Sequence, residues 1–167
     1  MAFFMRFWAS AASLTLAFSV AAEPATARLH SVTLDDGRLN ATFILSFSAT
    51  MNDALDHGID LNFALRVRGA TPGRALRARL SWQPLSRRYV LQRDGVSRGF
   101  ALRESALRAL GEFKGVLLSE APESTAGLGL RFSLERGELP APLRIPAYLS
   151  SDWRLDSGWV ALDADKR

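Results

Sequence analysis

Apolar and polar residues alternate along much of this chain with a period of two. Leu39, Ala41, Phe43, Leu45 and Phe47 interleave with Asn40, Thr42, Ile44, Ser46 and Ser48. Successive side chains of an extended strand point to opposite faces, so this pattern predicts a half-buried β-strand. The segment before it, residues 29–34, runs into Asp35-Asp36-Gly37, a strong turn signal. Together they predict an N-terminal hairpin. The alternation recurs at Leu61, Phe63, Leu65 and Val67, and again at Leu76, Ala78, Leu80 and Trp82. Residues 87–93 are strand-like and close on Asp94-Gly95, with residues 99–102 returning alongside. Residues 113–118, and then Leu128, Leu130, Phe132 and Leu134, predict two more strands.

Two short helices interrupt this pattern. Residues 52–57 predict one or two turns capped by Asn52 and stopped by Gly58. Residues 104–110 predict the second, with Leu107 and Leu110 apolar and Gly111 as the stop. Leu139-Pro-Ala-Pro-Leu-Arg-Ile-Pro146 cannot donate regularly to a ladder, so it is expected to be an extended edge or crossing segment. Trp153, Leu155, Ser157 and Trp159 share a face at period two and predict a last strand. Trp82, Trp153 and Trp159 are the expected core aromatics, because each ring buries a large area. Eight or nine short strands with two short helices predict a mainly β fold, an antiparallel β-sandwich or partly open barrel.

The first residues have another pattern. Arg6 sits beside the amino terminus, and an apolar run of 16 residues, 7–22, follows without a charge. A basic start, a short apolar core and a small-residue exit predict a secretory signal peptide. Cleavage fits after Ala22 or after Ala27, which leaves one β-rich domain over residues 28–167 under the longer leader. The alternative is an uncleaved anchor, but a spanning helix needs roughly 20 apolar residues. No later run approaches that length, so no transmembrane span is expected after cleavage. The compartment expected is periplasmic or secreted. The chain has no Cys, which excludes disulfides, thiol chemistry and a lipidated cleavage site.

The charge map then changes the picture. The formal charge is +4 and the pI about 10.3, with 19 Arg and 2 Lys. Residues 28–60 carry −3, residues 61–103 carry +9, and residues 104–167 carry −2. A basic island therefore lies between acidic flanks. Arg66 and Arg68 alternate against the row from Leu61 to Val67, and Arg77 and Arg79 against the row from Leu76 to Trp82. If these strands are neighbours, the four arginines share one sheet face, and Arg88 joins them if Val90 also points outward. Like charges across strands are unfavourable unless water screens them or an anion offsets them. Outside the cytoplasm the available anions are head groups, acidic polymers and acidic proteins, so nucleic acid is not expected.

Two chemical motifs have structural explanations. Gly95-Val-Ser97-Arg-Gly99 matches a nucleophile elbow, but that chemistry needs a strand-to-helix turn and a later His. Here Asp94-Gly95 reads as a hairpin tip, and His30 and His57 both precede Ser97. Asp53, Asp56, His57 and Asp60 lack the alternate-ligand spacing of a calcium loop. No catalytic residue, metal site or cofactor is expected.

The ordered landmarks resemble a known family. These are Asp53-Ala-Leu-Asp-His-Gly-Ile-Asp-Leu-Asn-Phe63, Leu85-Ser-Arg-Arg-Tyr-Val-Leu91, Phe100-Ala-Leu-Arg-Glu-Ser-Ala-Leu-Arg-Ala-Leu110, Leu139-Pro-Ala-Pro-Leu143 and Ser151-Asp-Trp-Arg-Leu-Asp-Ser-Gly-Trp159. Together they resemble the proteobacterial domain of unknown function family 4390. The resemblance implies an exported envelope protein with no assigned activity and a link to a membrane sensor kinase. The expectation is a non-catalytic binding or adaptor module that meets an anionic envelope component or an acidic protein surface. The alternatives are a structural envelope protein without a ligand, and an enzyme with a dispersed site.

Overall fold

The computed structural model describes residues 23–69, 75–118 and 127–162. The predicted leader falls mostly within residues 1–22, outside the described residues. The N-terminal hairpin forms from β1 (Thr26–Asp35) and β2 (Arg38–Ser46). Its two-residue turn places Asp36 and Gly37 at φ of 48° and 69°. Both values are left-handed, as a twist-matched hairpin turn requires. Asp94-Gly95 repeats the device between β5 (Arg88–Arg93) and β6 (Val96–Phe100), so Ser97 lies in a strand after a hairpin tip.

The strands sort into two antiparallel sheets. β7 (Glu112–Leu117) joins the first hairpin in the order β1-β2-β7. β3 (Leu61–Arg68), β4 (Ala75–Gln83), β8 (Leu128–Leu134) and β9 (Val160–Leu162) complete the other, in the order β6-β5-β4-β3-β8-β9. The sheets pack face to face and do not close into a barrel. Phe43 and Phe113 from the smaller sheet meet Phe132 of the larger at ring separations of 5.4 and 5.8 Å, and Phe63 stacks on Phe132 within the larger sheet at 5.7 Å.

α1 (Ala49–Asp56) begins earlier than the sequence pattern suggests. Its cap is Ser48, not Asn52: the buried Ser48 Oγ accepts from the Met51 N–H at 3.1 Å and donates to the Asp152 carbonyl at 2.7 Å. A local scan favours Asn, but the distant carbonyl makes Ser48 the better-satisfied cap. α2 (Arg103–Gly111) crosses from the larger sheet to the smaller. Gly111 serves close approach here: a Cβ at this position would stand 2.2 Å from the Phe43 carbonyl oxygen.

The C-terminal third departs from expectation in three ways. The proline-rich stretch is a third helix, α3 (Ala141–Leu149), not an extended segment. Proline's fixed φ suits a helix start, where the missing N–H has no partner anyway. Pro146 forfeits one interior bond, yet its carbonyl still accepts from Ser150 at 2.9 Å. The last predicted strand is instead a 3-10 turn at Ser151–Trp153, a single bridge at Asp156, and β9. The tryptophans then separate. Trp153 is buried and Trp82 packs against the core, but Trp159 is 40% exposed and is not a core residue.

Replacing Gly111 with Ala should push α2 off β2 and cost about 1–3 kcal/mol, as overpacking does. A lowered urea midpoint at unchanged slope is expected. An unchanged midpoint would mean that the seat on Phe43 is not tight.

Candidate functional site: an arginine-lined outer sheet face

The inner face of the larger sheet is consumed by the core, so its outer face carries what remains. Registry decides which side chains appear there. Asn62 lies opposite Arg79, Ala64 opposite Arg77, and Arg66 opposite Ala75. On the other side of β3, Arg66 faces Arg131 and Arg68 faces Gly129. Gln83 lies opposite Arg88, and Val90 opposite Ser81. With Leu61, Phe63, Leu65, Leu76, Ala78 and Leu80 all buried inward, strand alternation puts Arg66, Arg68, Arg77, Arg79 and Arg88 on one outer face. Arg131 joins them, a residue the sequence reading did not single out. Its signal was available, because Arg131 sits between the inward pair Leu130 and Phe132.

Carboxylates from beyond the strands meet these guanidiniums. Arg66 pairs with Glu135 at 2.9 Å and donates to the Ser133 hydroxyl at 3.1 Å. Arg77 approaches Glu138 at 3.8 Å, and Arg79 approaches Asp60 at 3.9 Å. Arg131 holds both oxygens of Asp156. The direct Arg66–Arg131 opposition, unfavourable alone, is thereby relieved by one carboxylate on each side. Arg68 stacks on Trp159 with its guanidinium carbon 4.8 Å from the ring centre. Trp159 in turn lies over Gly129, where a Cβ would come within 3.5 Å of the ring. That stacking explains why Trp159 is outside: Gly129 leaves an outer-face space that fits an indole. Among the described residues, Arg88 has no carboxylate partner within salt-bridge distance.

Two open clefts adjoin on this face. One, of about 240 Å³, is lined by Arg77, Arg79, Asn62 and Gln92. The other, of about 250 Å³, is lined by Arg66, Arg131, Arg136, Arg154, Tyr148 and Asp156. Glu135 and Glu138 border both. Asp94 adds one negative charge at the rim of the first, while the Arg93 guanidinium turns inward onto Phe113 and the Leu110 and Glu112 carbonyls. Cations therefore outnumber anions across the pair. Arg136 and Arg154 come from irregular segments, where no period could have marked them.

The acidic cluster near His57 disperses in three dimensions. Asp53 pairs with His57 at 3.4 Å, Asp60 with Arg79, and Asp56 with Arg103. Asp56 also accepts from the Tyr89 hydroxyl at 3.1 Å, which ties α1 to α2 and β5. Burial, aided by the Asp56 carboxylate, pushes the Tyr89 phenol above its usual value against the pull of Arg103. Among the described residues no group of three His, Cys, Asp or Glu is placed to hold a metal.

The model of the family described as "Domain of unknown function (DUF4390)" matches residues 22–163. The chain belongs to that family. No curated protein and no solved structure matches it. This DUF4390 domain is thus read from its own geometry.

The Arg131–Asp156 pair gives that geometry a pH signature. Burial alone would raise the Asp156 carboxyl. Hydrogen bonds from Arg131 and the Gly158 N–H, with the charges of Arg131 and Arg136, outweigh burial and hold it below its ordinary value. A carboxyl held low in the folded state contributes stability above the ordinary carboxylate range, and that stability is lost as pH falls through the folded value. The DUF4390 domain should therefore lose stability as pH drops below about 4. Asp156→Asn should be less stable at pH 7 and less sensitive to acid. Urea midpoints at pH 7 and pH 3 measure this; parallel pH dependences in both proteins would assign the acid sensitivity elsewhere.

Proposed function

We propose that the chain is a non-catalytic binding module of the cell envelope, whose arginine-lined sheet face meets an anionic envelope component or an acidic protein surface. The observation that carries this reading is the gathering of Arg66, Arg68, Arg77, Arg79, Arg88 and Arg131 on one outer face. Guanidinium forks suit carboxylate and phosphate oxygens, and those on exposed ion pairs exchange partners at little cost. The acidic ectodomain of a membrane sensor kinase is one partner of this chemistry. Glu135, Glu138 and Asp156 of the clefts are paired with arginines, and Asp156 is held in its ionised form, which suits binding better than proton transfer.

A purely structural role is favoured by one observation. Glu135, Glu138 and Asp60 already sit beside three of the arginines and offset part of the charge. Retention on immobilised polyphosphate separates the two readings. Wild type should elute late at low salt and early at physiological salt, because screening shortens the reach of exposed charge. Arg77→Ser/Arg79→Ser should elute early at both. Indistinguishable elution of the two proteins would favour the structural role.

Of the two cleavage points, burial in the hairpin supports the one after Ala22. Ala25 and Ala27 are 6% and 7% exposed and belong to the core, and Ala27 pairs with Leu45 in the hairpin. Cleavage after Ala27 would strip both alanines from the fold, whereas cleavage after Ala22 spares them. The mature protein recovered from the periplasm should begin at Glu23. An intact mass or N-terminal sequence beginning at Arg28 would overturn this assignment.

A further inference from the structure

α3 presents an apolar ridge that none of the described residues covers. Ala147 is buried and Leu143 packs against the core, which fixes the inward side of the helix. Ile145 and Leu149, one turn apart, lie on the opposite side and are 73% and 84% exposed. Tyr148, on the flank, is 57% exposed. This is the densest run of exposed large apolar side chains in the described residues.

Its surroundings are basic. Arg144 is the only charge on the helix. Arg136 stacks on Tyr148, its guanidinium carbon 4.7 Å from the ring centre, and donates to the Ala147 carbonyl. Tyr148 also lines the second cleft together with Arg66, Arg131 and Arg154, so the ridge borders the arginine face. The acids of that cleft are engaged: Glu135 with Arg66, Glu138 with Arg77 and Asp156 with Arg131, while Asp152 accepts from the Thr50 hydroxyl.

We infer that this edge docks on the surface of an acidic phospholipid bilayer, with Ile145 and Leu149 entering the interface and the arginines meeting head-group phosphates. The inference rests on the envelope reading above and names the anion. An apolar ridge flanked by cations and an interfacial aromatic is the chemistry of a peripheral membrane contact. Size argues against a protein partner on this ridge alone. Taking roughly 200 Å² per large side chain, the three exposed fractions come to about 400 Å², half of the ~800 Å² a side that a stable protein interface buries.

The chain has no Cys, so a single introduced thiol can carry an environment-sensitive fluorophore. The mature protein labelled at Leu149→Cys should show blue-shifted, brighter emission with phosphatidylglycerol vesicles and none of this with phosphatidylcholine vesicles. The same label at Leu85→Cys, on the β4–β5 turn, should not respond. Ile145→Ser/Leu149→Ser should partition to acidic vesicles about tenfold more weakly or worse, with an unchanged urea midpoint because both positions are exposed. A silent Leu149 label, absent vesicle binding, or equal partitioning of the double variant would overturn the inference. So would a concentration-dependent dimer that the double variant abolishes, since the ridge would then be a self-association surface. The two readings fail separately. A ridge variant that binds vesicles like wild type leaves the polyphosphate result standing. An Arg77→Ser/Arg79→Ser protein that keeps its polyphosphate retention leaves the ridge result standing.

Discussion

The stack of phenylalanines between the two sheets is the contact on which the rest of the structure depends. Phe47, Phe63, Phe132 and Phe43 follow one another at 5.6, 5.7 and 5.4 Å, and Phe113 closes the group edge-on to Phe43 and Phe132. Each such pair contributes about 0.5–1.5 kcal/mol beyond the area it buries. With no Cys in the chain, no covalent staple shares the task. The stack also sets the division of labour in the larger sheet. One face must be apolar to meet it, so the polar residues of the same strands are delivered together to the other face.

That outer face is organised by reach more than by strength. Small residues, Ala64 opposite Arg77 and Gly129 opposite Arg68, leave room for guanidiniums to spread over the strands. The carboxylates arrive from segments flanking the strands: Asp60 before β3, Glu135 and Glu138 after β8, and Asp156 before β9. The more exposed pairs, Arg77–Glu138 and Arg79–Asp60, contribute little to stability. Their effect is positional, because each carboxylate aims a guanidinium while leaving donors free to meet another anion.

Much of this was legible along the chain. Both two-residue hairpin turns, the inward rows of β3 and β4, and the opposite placement of Arg66, Arg68, Arg77 and Arg79 follow from local pattern. Arg131 obeys the same parity rule but lies outside the basic island of residues 61–103. Asn52 fits a cap by residue type, but Ser48 accepts the capping bond from the Met51 N–H and donates onward to the Asp152 carbonyl, more than a hundred residues away. The proline-rich stretch was not legible locally, because proline's exclusion from ladders does not distinguish an extended segment from a helix start.

The sequence by itself determined which residues alternate, where the tight turns fall and which strands carry arginine. These are properties of single peptides: side-chain direction in an extended chain and the backbone freedom of Asp-Gly. Tertiary structure alone decided that Trp153 goes inside while Trp159 lies over Gly129, that Glu135 reaches Arg66, and that α3 stands with Ile145 and Leu149 uncovered. Each of those outcomes depends on which surface a segment meets after the chain has turned back, and no local period encodes the partner.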